Sequence, residues 1–144
     1  MQITLVGASA GGHLCLSILS HASHPHPHVP KLDISTKFAA MIILSPVTWT
    51  NATTPSVLRN EQKDMVPKRL LTEWGAMHIA DYGSDSYTEP ALAPAEWWSG
   101  AKVEGLLLLA GSDETLLDSA SQWANQFIVS HLSISKSPVD TLHE

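Results

Sequence analysis

Two short stretches, FAAMIILS at 38–45 and VEGLLLLAG at 103–111, are apolar at nearly every position. A strand with one wet face alternates apolar and polar residues. A continuous apolar run closed by turn residues fits a strand buried on both faces, as in a parallel sheet. Pro46 and Gly111 close these two runs, and a third, QITLV at 2–6, is cut off by Gly7. Helical patterns follow the first and third strands. One spans 10–22, with Leu14, Ile18 and Leu19 as its apolar face. The other covers roughly 114–132, where Leu116, Ala120, Trp123 and Phe127 recur at steps of three and four. Residues 46–100 are mixed: PSVLRNEQKD and PKRLLTEWGAMHIADYG each have room for a short helix, and TEPALAPAEWWSG reads as a loop. A further strand begins in SPVDTLHE. Strands alternating with helices predict an α/β fold with a mostly parallel sheet. At 144 residues, one domain over 1–144 is expected, with 46–100 as a long insertion.

Composition narrows the partners. The chain is 44% hydrophobic and 15% charged, an ordinary globular balance. A net charge of −6 with 8 Lys+Arg and no basic stripe argues against nucleic acid and anionic membrane. No run reaches the ~20 apolar residues of a membrane span. MQITLV lacks the basic and apolar regions of a signal peptide, so the cytoplasm is the default expectation. The sequon at Asn51 is then a chance match. Cys15 is the sole cysteine, which precludes an internal disulfide, and its apolar helical setting predicts a buried thiol.

Gly7-Ala8-Ser9-Ala10-Gly11 satisfies G-x-S-x-G between a β run and a helical pattern. A nucleophile on so tight a strand-to-helix turn needs strained backbone angles and nearly side-chain-free neighbours two positions away. The turn lifts the hydroxyl above the sheet and aims the Ala10 N–H at the same spot, at the positive end of a helix. The competing reading is a structural glycine turn with a bystander serine. His21, His24, His26 and His28 form H-x-x-H-x-H-x-H. Prolines hold that segment extended and no Cys or carboxylate cluster accompanies it, so an exposed loop is expected rather than a metal site. Trp49, Trp74, Trp97 and Trp98, with Met65 and Met77, are each read first as core packing.

LVGASAGGHLCLSIL resembles the nucleophile elbow of the hormone-sensitive-lipase-like branch of α/β-hydrolases, usually written G-D-S-A-G-G-N-L. Ala8 replaces the usual Asp and His13 the usual Asn, which removes polar partners that brace the turn. IILSPVTW (42–49) resembles the family's next strand and S-P loop, and EPALAPA (89–95) its N-P-x-x-S-P-L segment. LLLLAGSDETLLDSASQWANQF (106–127) resembles the strand and loop of the catalytic acid and the helix after it. The resemblance implies a carboxylic ester hydrolase. Ser9 is then the nucleophile, Ala10 an oxyanion donor, Gly7, Gly11 and Gly12 the elbow glycines, and 46–100 a cap or acyl-pocket region. A small apolar ester is the implied substrate, and no cofactor or metal is implied.

Asp113 and Glu114 both lie just past a buried strand, where a triad carboxylate must sit to reach the histidine. A helix start, with Asp113 as cap and Glu114 in the first turn, is the alternative. The family's acid-x-L-x-D spacing fits Glu114-Thr115-Leu116-Leu117-Asp118 and favours Glu114; Asp113 fits a loop one residue longer. His143 is the sole histidine at the end where the triad closes, but VDTLHE resembles the last strand itself, which places the base beyond Glu144. The family's H-G-G-G oxyanion loop has no counterpart in this sequence. A partial α/β-hydrolase fold is therefore expected, with the N-terminal half of the sheet absent, strand edges exposed and activity incomplete. An inactive fragment or pseudoenzyme, and a serine peptidase of the prolyl-oligopeptidase type, are the alternatives. The oligomeric state stays open.

Overall fold

The structure, a computed structural model, describes residues 2–81 and 83–134. Three strands form one sheet: β1 (Thr4–Ala8), β2 (Ala40–Leu44) and β3 (Leu106–Leu109), in the order β1-β2-β3. Both pairings are parallel, with Val6 beside Ile42 and Ile42 beside Leu107. The all-apolar runs thus become parallel strands. β1 extends through Gly7 to Ala8 rather than stopping before the glycine, because Gly7 and Ala8 pair with Ile43 and Leu44 through backbone groups alone.

Four α-helices accompany the sheet: α1 (Ala10–Ser23), α2 (Pro55–Asn60), α3 (Lys68–Ile79) and α4 (Leu117–Ile134). Two 3₁₀ turns, Pro90–Leu92 and Ala95–Trp98, occur where a plain loop was expected. α1 buries Gly12, Cys15, Leu16 and Leu19 against the sheet, while Leu14 and Ile18 face solvent. The predicted face was wrong for two of its three residues because Gly12, Cys15 and Leu16 make up the inner side, where Gly12 comes close to Pro46. The predicted stripe holds within α4, where Ala120 and Trp123 are buried and Phe127 packs against the core, while Leu116 lies one residue before the helix and is buried with Ala52, Val57 and Leu71.

The main core lies on one face of the sheet. Met41 and Ile43 meet Leu16 and Leu19 of α1 and the indole pair Trp98 and Trp123, whose rings stand edge to face 5.5 Å apart. Leu5, Leu106 and Leu108 pack against the same cluster. The expected burial on both faces does not hold: on the opposite face, Val6, Leu44, Leu107 and Leu109 remain exposed, Val6 by 66%, because no described element packs there. No helix among the described residues is long and apolar enough to cross a membrane.

The histidine-rich segment departs from expectation. His21 is buried and links the carbonyl oxygen of Pro30 with the N–H of His26. His24 stacks on Trp97, ring centroids 4.0 Å apart, and bonds its carbonyl oxygen. His26 Nδ1 in turn accepts from the His28 N–H, so three of the four imidazoles tie the loop where the chain leaves α1 and folds back on its surface. His28 is exposed as expected. The Trp and Met set divides in the same way: Trp98 is buried, whereas Trp74, Met65 and Met77 are largely exposed.

Trp123→Ala should lower unfolding free energy by about 3–5 kcal/mol, because it empties a fully buried indole site. Val6→Thr, on the exposed sheet face, should stay within about 0.5 kcal/mol. Urea denaturation of both variants checks the contrast, and equal losses would place the core on the wrong side of the sheet.

Candidate functional site

The three strands end side by side, and their ends are tied. The Ser9 N–H donates to the Leu44 carbonyl at 2.9 Å, and the Ser45 N–H to the Leu109 carbonyl at 2.7 Å. The Ser9 carbonyl accepts from His13 N–H and Val47 N–H. Chain segments leaving β1, β2 and β3 therefore converge on one edge, the carboxyl end of a parallel sheet, where α/β folds bind ligands.

Ser9 has φ 54° and ψ −120°, a left-handed conformation rare for a side-chain-bearing residue. The strain is enforced by packing. A Cβ on Gly7 would lie 2.2 Å from the Gly11 carbonyl oxygen, and one on Gly12 would lie 2.9 Å from Pro46 Cβ. Gly11 itself has open space around such a Cβ. The crowding is thus one-sided: Gly7 must lack a side chain because the Gly11 backbone occupies its place, while Gly11 need not lack one. Ser9 is the N-cap of α1, yet its hydroxyl makes no capping hydrogen bond. Ala10 opens the helix, and the first N–H groups of a helix lack intrahelical acceptors.

Ser9 and Ala10 line a cavity of about 280 Å³ whose other walls are Val47, Thr50, Val66, Leu71, Trp74, Gly75 and Leu116, with His13 and His78. Most of these belong to 46–100. His13 does not leave the turn unbraced, as its departure from the family pattern suggested. It bonds the Val47 carbonyl oxygen at 3.0 Å, faces Ser17 at 3.2 Å and meets His78 edge-on. Burial holds its pKa below the ordinary imidazole value; His78 adds to that, while the Val47 bond and Glu89 oppose it.

The two acid candidates occupy unlike places. Asp113 is exposed and pairs with Lys63 at 2.8 Å. It does not cap a helix, because α4 begins only at Leu117. Glu114 turns back over the strand ends, where Oε1 accepts from the Ser45 hydroxyl at 2.7 Å. Its Oε2 is buried without a hydrogen-bond partner among the described residues. The loop carrying it is held from the 46–100 segment. Asn60 Nδ2 donates to the carbonyl oxygens of Ser112 and Glu114, and Asp64 Oδ2 accepts from the N–H and hydroxyl of Thr115. Burial alone would raise the Asp64 pKa, but those Thr115 bonds and the N–H groups of Val66 and Met65 outweigh it and hold the carboxyl below its usual range. Sequence reasoning missed Ser45, Asn60, Asp64 and Glu89. Only the serine left a trace, as the polar residue between an apolar strand and Pro46. His143 lies outside the described residues. Among those residues, no group of three or more His, Cys, Asp or Glu is placed to hold a metal ion.

A model of the alpha/beta hydrolase fold family matches residues 1–131. Among solved structures, an esterase from the bacterial hormone-sensitive lipase family superposes with a TM-score of 0.71 at 27% identity, over 90% of this chain and 40% of that one. A hormone-sensitive lipase from a metagenome library gives 0.73 at 21% identity, over 90% and 40%. An esterase from Pseudomonas putida gives 0.74 at 17%, over 89% and 38%. At these lower identities the last two speak to the fold alone. The chain spans about 40% of the length of the structures it matches. No sequence among the curated proteins matches.

Gly7→Ala should collapse expression or thermal stability, whereas Gly11→Ala should be tolerated and gain roughly 0.5–1 kcal/mol from lower unfolded-state entropy. Thermal melts decide this, and equal damage at both sites would refute the one-sided crowding. Glu89 adds a pH signature. Burial alone would raise its pKa, but bonds from Ser84 and from the hydroxyl and N–H of Thr50 outweigh that and, with His78, leave it lowered. A depressed folded-state pKa stabilises above the unfolded value, near 4.3, and that stabilisation is lost as pH falls through the folded value. Glu89→Gln should therefore flatten the acid limb of a Tm–pH profile, and an unchanged limb would separate Glu89 from acid stability.

Proposed function

The chain belongs to the α/β-hydrolase fold family, and from that premise we propose that it carries the nucleophile and the acid of a serine carboxylic ester hydrolase. The observation that carries the reading is the backbone of Ser9. It is held left-handed by the Gly7–Gly11 approach, and its hydroxyl makes no capping bond beside an apolar cavity. Strain of this kind concentrates at functional turns. A serine serving only as a helix cap would use its hydroxyl on the first turn.

In this reading the Ser9 Oγ attacks the ester carbonyl as a histidine takes its proton. The Ala10 N–H donates to the developing oxyanion. Collapse expels the alcohol, which receives the proton from the imidazolium, and water then hydrolyses the acyl-enzyme by the same relay. Glu114 orients the imidazole through Oε2, the buried oxygen that no described residue engages. Its partner Ser45 and the bracing of its loop by Asn60 favour it over Asp113, whose carboxylate faces Lys63 in solvent. Residues 46–100, within a single unit over 1–144, serve as the pocket-forming insertion, and the apolar walls suit a small apolar acyl or alkyl group. The reaction also needs an imidazole and a second oxyanion donor; this chain's assigned share is the nucleophile, the acid and one donor.

Turnover of a short-chain p-nitrophenyl ester tests the assignment, measured on a protein in which this chain is joined to the segments that supply the imidazole and the second donor. Ser9→Ala should lower kcat by about 10³–10⁶ and Glu114→Gln by on the order of 10⁴. Asp113→Asn should stay within about twofold, as an exposed ion pair contributes little. Undiminished turnover by Ser9→Ala would overturn the reading, and reversed effects at 113 and 114 would reassign the acid.

A further inference from the structure

Ser45 is the second side-chain-bearing residue with positive φ among those described, at 44°. It also precedes Pro46, and a proline pushes the residue before it toward extended backbone. Glycine would relieve the left-handed conformation, so a serine here calls for a use of its side chain. That side chain does one thing: its Oγ donates to Glu114 Oε1 at 2.7 Å.

Asp85 accepts from Tyr87 and Thr88 on Oδ1 alone, but its second oxygen is not among the buried, unpartnered atoms. Two more carboxylates of this region show what a purely structural role looks like. Asp64 accepts from Val66 N–H on Oδ1 and from Thr115 on Oδ2. Glu89 accepts from Thr50 on Oε1 and from Ser84 on Oε2. Each uses both oxygens. Glu114 uses one and buries the other without a partner, although a buried polar atom is costly unless it is bonded. The room for it is specific as well, since a Cβ on Gly111 would come within 3.0 Å of Glu114 Oε1.

We propose that Ser45 is a positioning residue for Glu114, fixing one carboxylate oxygen at the end of β2 so that the other is presented to the imidazole N–H. This rests on the hydrolase reading above. Ser45 touches no reacting atom; it acts through Glu114, and the strain in its backbone accompanies the aim of its hydroxyl.

The test separates the hydroxyl from the Cβ. Ser45→Gly removes both, and Ser45→Ala removes only the hydroxyl and keeps the strain. With a p-nitrophenyl ester, and in the same protein carrying the imidazole and second donor, both variants should lose about tenfold to a hundredfold in kcat, with KM within about twofold. Their Tm values should diverge, with Ser45→Gly above Ser45→Ala. Ser45→Gly combined with Glu114→Gln should be no slower than Glu114→Gln alone, because both remove the same arrangement. Wild-type kcat in Ser45→Gly, kcat losses that follow Tm, or losses that multiply in the double variant would each overturn the proposal. Absence of Ser9-dependent turnover in the unmodified protein, once the segments that supply the imidazole and the second donor are present, would instead overturn the hydrolase reading on which it rests.

Discussion

Strand β1 and helix α1 meet backbone against backbone, with the Gly11 carbonyl oxygen lying where a Gly7 side chain would start. The rest of the strand-end architecture follows from that approach. The chain can reverse so sharply only by placing Ser9 in left-handed backbone, which directs its N–H to Leu44 and its carbonyl to His13 and Val47. Those bonds draw the start of the 46–100 segment onto the turn. Pro46 then rests against Gly12, closing a second contact that admits no side chain. A local steric constraint of two glycines thereby sets the position of a serine, a helix and the cavity wall opposite.

Polar groups stiffen the surrounding loops. Asp64 and Glu89 accept several hydrogen bonds each, and in both cases the bonds outweigh the burial that would otherwise favour the neutral acid. Ionised carboxylates bonded in this way join segments far apart in sequence: Asp64 joins the 46–100 segment to Thr115, and Glu89 joins Thr50 to Ser84. The cavity is thus apolar inside and held from outside by charge-assisted bonds, an arrangement suited to keeping a reacting group in place.

Legibility in the sequence tracked the range of the interaction responsible. The unbroken apolar runs predicted parallel strands and the pairing is parallel, but the burial on both faces that they also predicted is not met, since Val6, Leu44, Leu107 and Leu109 are exposed. The α4 stripe was legible from its own local spacing. The inner face of α1 was misread, since Leu14 and Ile18 are apolar yet exposed, while the buried side includes Gly12, which carries no hydropathy signal. Asp113 and Glu114 were indistinguishable as neighbours and were ranked only by family spacing. Their difference in setting comes from Ser45 and Lys63, 69 and 50 residues away in sequence. Likewise, the loop ties made by His21 and His24 depend on Pro30 and Trp97, which no local pattern connects to them.

The uncovered sheet face changes the thermodynamics as well as the surface. Val6, Leu44, Leu107 and Leu109 are already hydrated in the folded chain, so unfolding exposes less new apolar area than 144 residues would ordinarily yield. The heat-capacity increment and the denaturant m-value both scale with that area. Per residue, the stability curve is therefore flatter and the urea transition broader than in a sheet covered on both sides. A shallow transition in this protein is a property of its native surface and does not by itself signal a populated intermediate.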